Sequence, residues 1–441
     1  MVEEFKNNEY KQYCSNYTFV PFTIKPVRRI VVFGDIHGDY RMAVKLLQMS
    51  GVARVADRIN LTKMKLEESL EEKITNSKIT DRKINYRRSR RTRRGTRVTK
   101  NNIKDRETQE IIIEEEKEEK KEKKTSENLY FINKHHKEDY KYIMEWIGGD
   151  TYVVQVGDQI DRCRPIPGTK MCSDPGYLND DEDSDIKILE LFTDLHEQAV
   201  KVGGSVISLL GNHELLNSMG EMGYVSYMNA EGMKEKYKVD GTEFKDGFEA
   251  RKHAFKPGNL YGRYLGCTRQ ASVIIGSNLF VHAGIIDKLI EQIGLKGIQE
   301  FEDINILVKK WLMGLVNMDK SMHIISSNDS MFWTRILGSL PSNLPESDID
   351  CQQNISQVLK IFKINGMIIG HTPQSFLFNK DINHTCGNKI WRVDNGSSSA
   401  FDIFDKHYTN SHHKHHNRRF QYLEIINDNE YHVYDEHGKV Y

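Results

Sequence analysis

The stretch RRIVVFGDIHGD, Arg28 to Asp39, sets the reading of the whole 441-residue chain. Its first half is a run of β-branched and aromatic residues, the pattern of a strand buried on both faces. At Gly34 the run stops and polar residues begin, as where a loop leaves a strand end. The same pattern recurs along the chain. TYVVQV runs into GDQIDR (Thr151 to Arg162), GSVISLL into GNHE (Gly204 to Glu214) and NLFV into HAG (Asn278 to Gly284). GMII runs into GHTP (Gly366 to Pro373), and KIWRV into DNG (Lys389 to Gly396). Helix-like stretches such as Tyr40 to Met49 and Ile186 to Lys201 lie between them, with apolar residues three and four apart. Strands alternating with helices predict an α/β architecture.

Sheets of this kind gather their ligand-binding loops at the carboxyl ends of the strands. Polar clusters rich in Asp, His and Asn at successive strand ends therefore predict one shared site. In GDIHGD, Asp35 and His37 are two residues apart, so in an extended segment both face the same side and can clamp one metal. Asp158 is the natural bridge to a second metal, completed by Asn212, His282 and His371. Hydrolysis of a phosphate ester at neutral pH calls for such a mixture of carboxylate, imidazole and amide. Two cations about 3.5 to 4 Å apart ionise a shared water and draw the phosphate into line. Nitrogen and oxygen donors of this kind suit Mn, Fe or Zn.

Three residues remain for catalysis. His213 is placed to protonate the leaving-group oxygen, and Asp161 to hold its ring. Arg162 offers a planar fork for phosphate oxygens, with Arg335 in MFWTR and Arg263 as further clamp candidates. Taken singly, each has a duller reading: Asp35 as a helix cap, His282 or His371 as a satisfied core histidine. The joint pattern outweighs these, because every cluster carries the needed side chain at a predicted strand end.

The rest of the chain narrows the function classes. Lys+Arg and Asp+Glu both total 63, which removes a global electrostatic case for a nucleic-acid or membrane partner. The start has neither a basic region nor an apolar core of a secretory signal. The longest apolar candidate, Ala271 to Ile286, is interrupted and falls short of the roughly 20 residues of a membrane span. A soluble, intracellular protein is expected. Six cysteines without a C-x-x-C pair predict reduced thiols rather than a disulfide framework.

The sequence predicts an extension at 1–26 before one catalytic domain, 27–441, interrupted by a charged insertion at 56–136 that is expected to be disordered. Seven arginines between Arg87 and Arg97 are the one feature that would grip nucleic acid. No aromatics interleave with them, and the acidic stretch Glu107 to Glu119 offers an internal counter-charge, so a solvated insertion is expected. The histidines of His407 to Arg419 read as a solvated loop. RFQYLEII and EYHVYDE read as a closing β-hairpin.

In their order, GDIHGD, GDQIDR, GNHE, VHAG and GHTP resemble the motifs of the calcineurin-like metallophosphoesterases, in the phosphoprotein phosphatase branch. LLGNHELLN, AFKPGNLYGRYL, NLFVHAGI and FWTR are most similar to the Shewanella-like phosphatases and related viral proteins. The resemblance spans about Val27 to Phe401, apart from the insertion. It implies a four-layer αββα fold, two mixed β-sheets flanked by helices, and a dinuclear Mn, Fe or Zn centre. By motif matching, Asp35, His37 and Asp158 would bind one metal, and Asp158, Asn212, His282 and His371 the other. His213 would be the acid with Asp161 behind it, while Arg162 and Arg335 would hold phosphate.

Two departures stand out: Cys163 replaces the usual glycine after Asp-Arg, and Ala283 follows His282. The implied activity is removal of phosphate from phosphoserine, phosphothreonine or phosphotyrosine in a protein, by attack of a metal-bridging hydroxide. A dinucleoside polyphosphate hydrolase on the same scaffold is the chemical alternative. An inactive binding scaffold is the other, and it expects a lost ligand position where none is lost.

Overall fold

Each apolar run before a polar cluster forms a strand, because its β-branched residues are covered on both faces. A computed structural model describes residues 1–56, 144–317, 322–377, 381–407 and 418–441. The Arg87 to Arg97 run, its acidic counterpart and most of the His407 to Arg419 stretch lie outside the described residues. The chain divides into two compact units, residues 1–54 with 145–441 and residues 55–144. Within the larger unit, the Arg54–Glu145 ion pair at 3.0 Å and the Ile147 N–H to Val52 O bond at 2.9 Å close the neck where the chain leaves and returns.

The larger unit holds two mixed sheets. In the first, β2 (Arg29–Phe33), β3 (Tyr152–Gln155), β4 (Ser205–Leu209) and β5 (Arg269–Gln270) run parallel. The predicted closing hairpin, β11 (Gln421–Ile426) and β12 (Glu430–Asp435), adds antiparallel to β2 and carries β13 (Gly438–Lys439) at its edge. In the second sheet, β7 (Asn278–Val281), β8 (Gly366–Ile369) and β10 (Ile390–Arg392) run parallel. Antiparallel β6 (Ser272–Ile275) and β9 (Asn383–Thr385) flank them, and β1 (Thr23–Ile24) joins β6 in parallel.

The sheets face each other across a dry core of Val32, Val154, Ile207 and Leu423 from one side and Val273, Phe280, Ile368 and Trp391 from the other. Each such side chain contributes about 1.5–3 kcal/mol by leaving water. Helices cover the outer faces. Phe33 of β2 meets Phe192 of α2 (Asp185–Ala199) edge to face at 6.4 Å. Phe301 of α5 (Ile298–Leu312) and Phe362 of α6 (Ile349–Phe362) pack in one cluster with Leu279, Val281 and Met367 of the second sheet. The architecture is the four-layer αββα arrangement of two mixed sheets flanked by helices.

Helix α1 (Tyr40–Met49) shows how the first motif is tied down. Asp39 caps it by accepting the Met42 N–H at 2.9 Å, and Met42, Ala43, Leu46 and Leu47 form its buried stripe. The same Asp39 accepts the Ser399 N–H at 2.8 Å, linking the loop after β2 to the one after β10. Residues 1–26 pack into the core: Phe5, Tyr10, Cys14 and Phe22 are buried, and the Tyr10 hydroxyl donates to Cys267 O at 2.9 Å.

The expectation of reduced thiols is corrected. All six cysteines pair, as Cys14–Cys267, Cys163–Cys172 and Cys351–Cys386, with Cα atoms 5.4, 5.8 and 5.5 Å apart. Partners 253, 9 and 35 residues apart carry no local motif, so only the fold brings them together. No described helix is long and apolar enough to cross a membrane.

Candidate metal centre

The loops after β2, β3, β4, β7, β8 and β10 converge where the two sheets meet. The expected extended segment at Asp35 and His37 is corrected: His37 has φ 48°, so the chain turns left-handed there. Asp158 (φ 53°), Asp161 (φ 71°) and His371 (φ 66°) share this conformation. A non-glycine residue in it costs about 1–3 kcal/mol, and such strain collects at functional sites. Backbone bonds hold it in place, with the Ile36 and His37 N–H groups both donating to Asp158 O at 2.9 Å. Two glycines allow the close approach: a Cβ on Gly211 would sit 2.1 Å from Asp158 Oδ1, and one on Gly370 2.3 Å from Asp35 Oδ1.

The structure brings Asp35, His37, Asp158, Asn212, His282 and His371 together and buries all of them. Asp158 is central. Its Oδ1 accepts the His213 N–H at 2.9 Å, which leaves Oδ2 facing His282 Nε2 at 3.4 Å and both His37 and His213 Nε2 at 3.9 Å. Asp35 Oδ2 lies 3.8 Å from His37 Nε2. Donor atoms of His37, Asp158 and His213, and of Asp158, His282 and His371, all lie within 4.8 Å of one another in each set. Asp158 belongs to both.

The hydrogen-bond pattern fits a donor set built to hold cations. His282 Nδ1 lies 2.8 Å from Val156 O, and a carbonyl only accepts, so Nδ1 carries the hydrogen. Its Nε2 faces two more acceptors, Asn212 Oδ1 at 3.0 Å and Asp158 Oδ2 at 3.4 Å, and although burial acts against the charge, Asp158 outweighs it and raises the pKa of the ring, so positive charge, a proton or a metal ion, is favoured at this point. In the same way His371 Nε2 donates to Trp333 O at 3.1 Å, leaving Nδ1 buried without a partner among the described residues. His37 Nδ1 and Asp394 Oδ2 are also buried without one. Converging acceptors repel unless positive charge, a proton or a metal ion, sits among them.

The acidities record the same crowding. Burial and the neighbouring Asp394 and Asp158 charges push the Asp35 carboxyl well above its ordinary range. Burial also lifts Asp394 to about 6. For Asp158 burial acts upward, but the imidazoles of His282, His213 and His37 outweigh it and hold the carboxyl well below the usual range. Burial drives His37 and His371 well down, toward the neutral form that binds metals.

Beside the cluster lies a hydrogen-bonded network. His213 opens α3 (Asn212–Met219), and its Nδ1 meets Asp161 Oδ2 at 2.9 Å. Asp161 also accepts from Asn217 Nδ2 at 3.0 Å and from Arg251 Nη2 at 3.3 Å, the latter on α4 (Gly247–Phe255). Arg251 is fully buried, pairs with Asp185 at 2.7 Å and donates from Nε to Asn217 Oδ1 at 2.7 Å. Glu214 accepts the N–H groups of Gly211 at 2.7 Å, Asp158 at 3.0 Å and Gln159 at 2.8 Å, fastening two motif loops to each other.

The three arginines expected at phosphate part company. Arg335 donates to His371 O at 2.9 Å and is exposed at the edge of the cluster. Arg162 is turned aside by Asp180 at 2.9 Å and Glu182 at 3.2 Å. Arg263 is not among the cluster residues: it donates to Gly258 O at 3.0 Å and lies over the Tyr13 ring.

Sequence reading passed over Arg251 and Arg164, which sit in stretches without motif character, and over Asn217, which closes the quoted LLGNHELLN stretch without being singled out. Asp394 stood in a strand-end cluster and Glu214 in GNHE, so a signal for both was visible.

No family model matches the chain. It is 26% identical over 285 residues to Shewanella-like protein phosphatase 2 of Arabidopsis thaliana, covering 58% of this chain and 64% of that protein. It is 24% identical over 271 residues to Shewanella-like protein phosphatase 1 of Plasmodium berghei, covering 60% and 62%. The chain thus spans under two thirds of the length of either phosphatase. A superposition on the cold-active protein-tyrosine phosphatase of a psychrophilic Shewanella gives a TM-score of 0.44 at 15% identity, covering 97% of this chain and 84% of that one. An uncharacterized protein of Acanthamoeba polyphaga mimivirus is 35% identical over 250 residues, which are 54% of this chain and 94% of the viral protein. The chain belongs to one family with this mimivirus protein and has phosphatases among its more distant relatives.

Proposed function

We propose that this protein is a metal-dependent phosphatase that hydrolyses phosphomonoesters, with phosphorylated proteins as its substrate class. The observation that carries the reading is the convergence of His282 Nε2, Asn212 Oδ1 and Asp158 Oδ2 in one buried cluster, beside ring nitrogens of His37 and His371 that have no hydrogen-bond partner among the described residues. The phosphatase names of two relatives support the reaction class.

In this reading Asp35, His37 and Asp158 would hold one divalent ion, and Asp158, Asn212, His282 and His371 a second, with Mn, Fe or Zn as the ions suited to such donors. When bound, such a pair supplies an ionised water and positive charge at the phosphoryl oxygens. The chain's own groups do the rest. His213 Nε2, 3.9 Å from Asp158 Oδ2, faces the cluster and delivers a proton to the departing oxygen of the ester. Asp161 fixes the ring by accepting from Nδ1, so that Nε2 points at the substrate. Arg335, anchored on the His371 carbonyl, borders the place where phosphate binds.

The test is hydrolysis of p-nitrophenyl phosphate and a phosphopeptide panel beside diadenosine tetraphosphate, with Mn²⁺ and after chelation. Turnover of phosphopeptides that stops on chelation and returns with metal is expected. Turnover of the dinucleotide alone moves the protein to the polyphosphate hydrolases. Activity that ignores the chelator removes the metal mechanism.

A further inference from the structure

Arg162 and Arg164 leave the same loop but meet different fates. Arg162 donates from Nη1 to Gly38 O and Glu182 at 3.2 Å each, and from Nη2 to Asp180 at 2.9 Å. Its charge is already matched by two carboxylates. Arg164 is only 5% exposed, yet forms no ion pair among the described residues. Its Nη1 donates to Asp161 O at 3.0 Å and Cys163 O at 2.8 Å, two neutral carbonyls that fix the guanidinium without neutralising it. Its Nε and Nη2 donate to nothing among the described residues.

The position of that charge is well defined. The Arg164 Cζ lies 4.9 Å from the Phe401 ring centroid and 5.8 Å from that of Tyr224. Those two rings pack on His37 and His213, at 5.4 and 4.8 Å. The guanidinium therefore stands beside the Asp158 cluster, on the side of the proton donor. Its loop is braced, because the Tyr177 hydroxyl donates to Arg164 O at 2.9 Å and accepts the Ile166 N–H at 3.0 Å. The Cys163–Cys172 disulfide closes the same loop.

A buried guanidinium with no carboxylate in contact among the described residues, on which Asp158 and Asp161 act only through space, is costly, and its planar fork matches two oxygens of a phosphate. We propose that Arg164, rather than Arg162, is the phosphate clamp of this chain: held between Phe401 and Tyr224, it grips the phosphoryl oxygens of an ester bound at the Asp158 cluster. The proposal rests on the reading of that cluster as a phosphatase centre.

Calorimetric titration of inorganic phosphate into the Mn²⁺-loaded full chain tests it, with metal content measured in parallel. Arg164→Met should weaken phosphate by about ten- to a hundredfold, the worth of hydrogen bonds to a charged group, with metal content unchanged. Arg162→Met should stay within about threefold, since its bonds are to the protein itself. If Arg164→Met fails to fold, Arg164→Lys against Arg162→Lys decides, because lysine keeps the charge but loses the fork. A loss confined to the Arg164 variant supports the clamp. Phosphate affinity unchanged in a folded Arg164 variant, a larger loss in the Arg162 variant, or no phosphate binding by the wild-type chain overturns it. Since binding is read without turnover, a wild-type chain that binds phosphate through Arg164 but cleaves no ester breaks the phosphatase reading and leaves the clamp standing.

Discussion

The Asp158 cluster and the His213–Asp161–Arg251 network share a wall but are built on opposite terms. In the cluster, side chains from loops after six strands turn acceptor and ring-nitrogen atoms toward one another, and His37, Asp158 and His371 hold left-handed backbone to do so. In the network the described contacts of Asp161 are all donors, and Arg251 and Asn217 on two helices supply them. The difference separates two kinds of buried polarity. Groups left short of hydrogens mark where a ligand with positive charge belongs. Groups held by several hydrogen bonds, as Asp161 is by Asn217 and Arg251, mark a geometry that is fixed before any ligand arrives.

Substitutions should split along this line. Asp158→Asn strikes the cluster at the atom both sets share. It should lower metal content by at least one ion per chain and cut turnover by about a thousandfold or more. Two tightly held ions in that variant would remove Asp158 as the bridge.

His213→Ala strikes the network at its reacting end. Metal content should hold while turnover falls by about 10²–10⁴, least for esters such as p-nitrophenyl phosphate whose leaving group needs little protonation. An equal loss for every leaving group would argue against the acid role.

Arg251→Met works one step further back. Turnover should fall by about ten- to a hundredfold, as for other residues that orient an active group. Stability should drop by about 3–5 kcal/mol in a urea titration, because Asp161 and Asp185 lose their shared buried cation. Combined with Asp161→Asn, the penalty should be well below the sum, and simple additivity would mean that the two side chains do not act as one unit.

The smallest effect on turnover should come from the double variant Cys14→Ser and Cys267→Ser, remote from both regions. It opens a link between residues 253 apart and should cost about 2–5 kcal/mol of stability with metals and catalysis retained in the folded fraction.

What the sequence made legible was whatever sits on a hydrophobic run or directly after it. The strands from Arg29–Phe33 to Ile390–Arg392 and the polar residues at their ends are local patterns, and the fold adds only their convergence. The hand of the turn at His37 was not legible, since residue spacing carries no φ. Nor were the disulfides, whose partners meet only through tertiary packing, or the aim of Arg162, which depends on Asp180 and Glu182 nearly twenty residues on. Arg251 was hidden for another reason: it lies mid-helix in GFEARKHAF, where an arginine is ordinarily a solvated side chain.

The account stands or falls on two ions sharing Asp158. Electron paramagnetic resonance of the Mn²⁺-loaded protein reads this directly, alongside metal analysis. The expected result is two Mn²⁺ per chain with a spin-coupled spectrum, the signature of ions about 3.5–4 Å apart. A single ion, or two giving the uncoupled spectrum of isolated Mn²⁺, would contradict it.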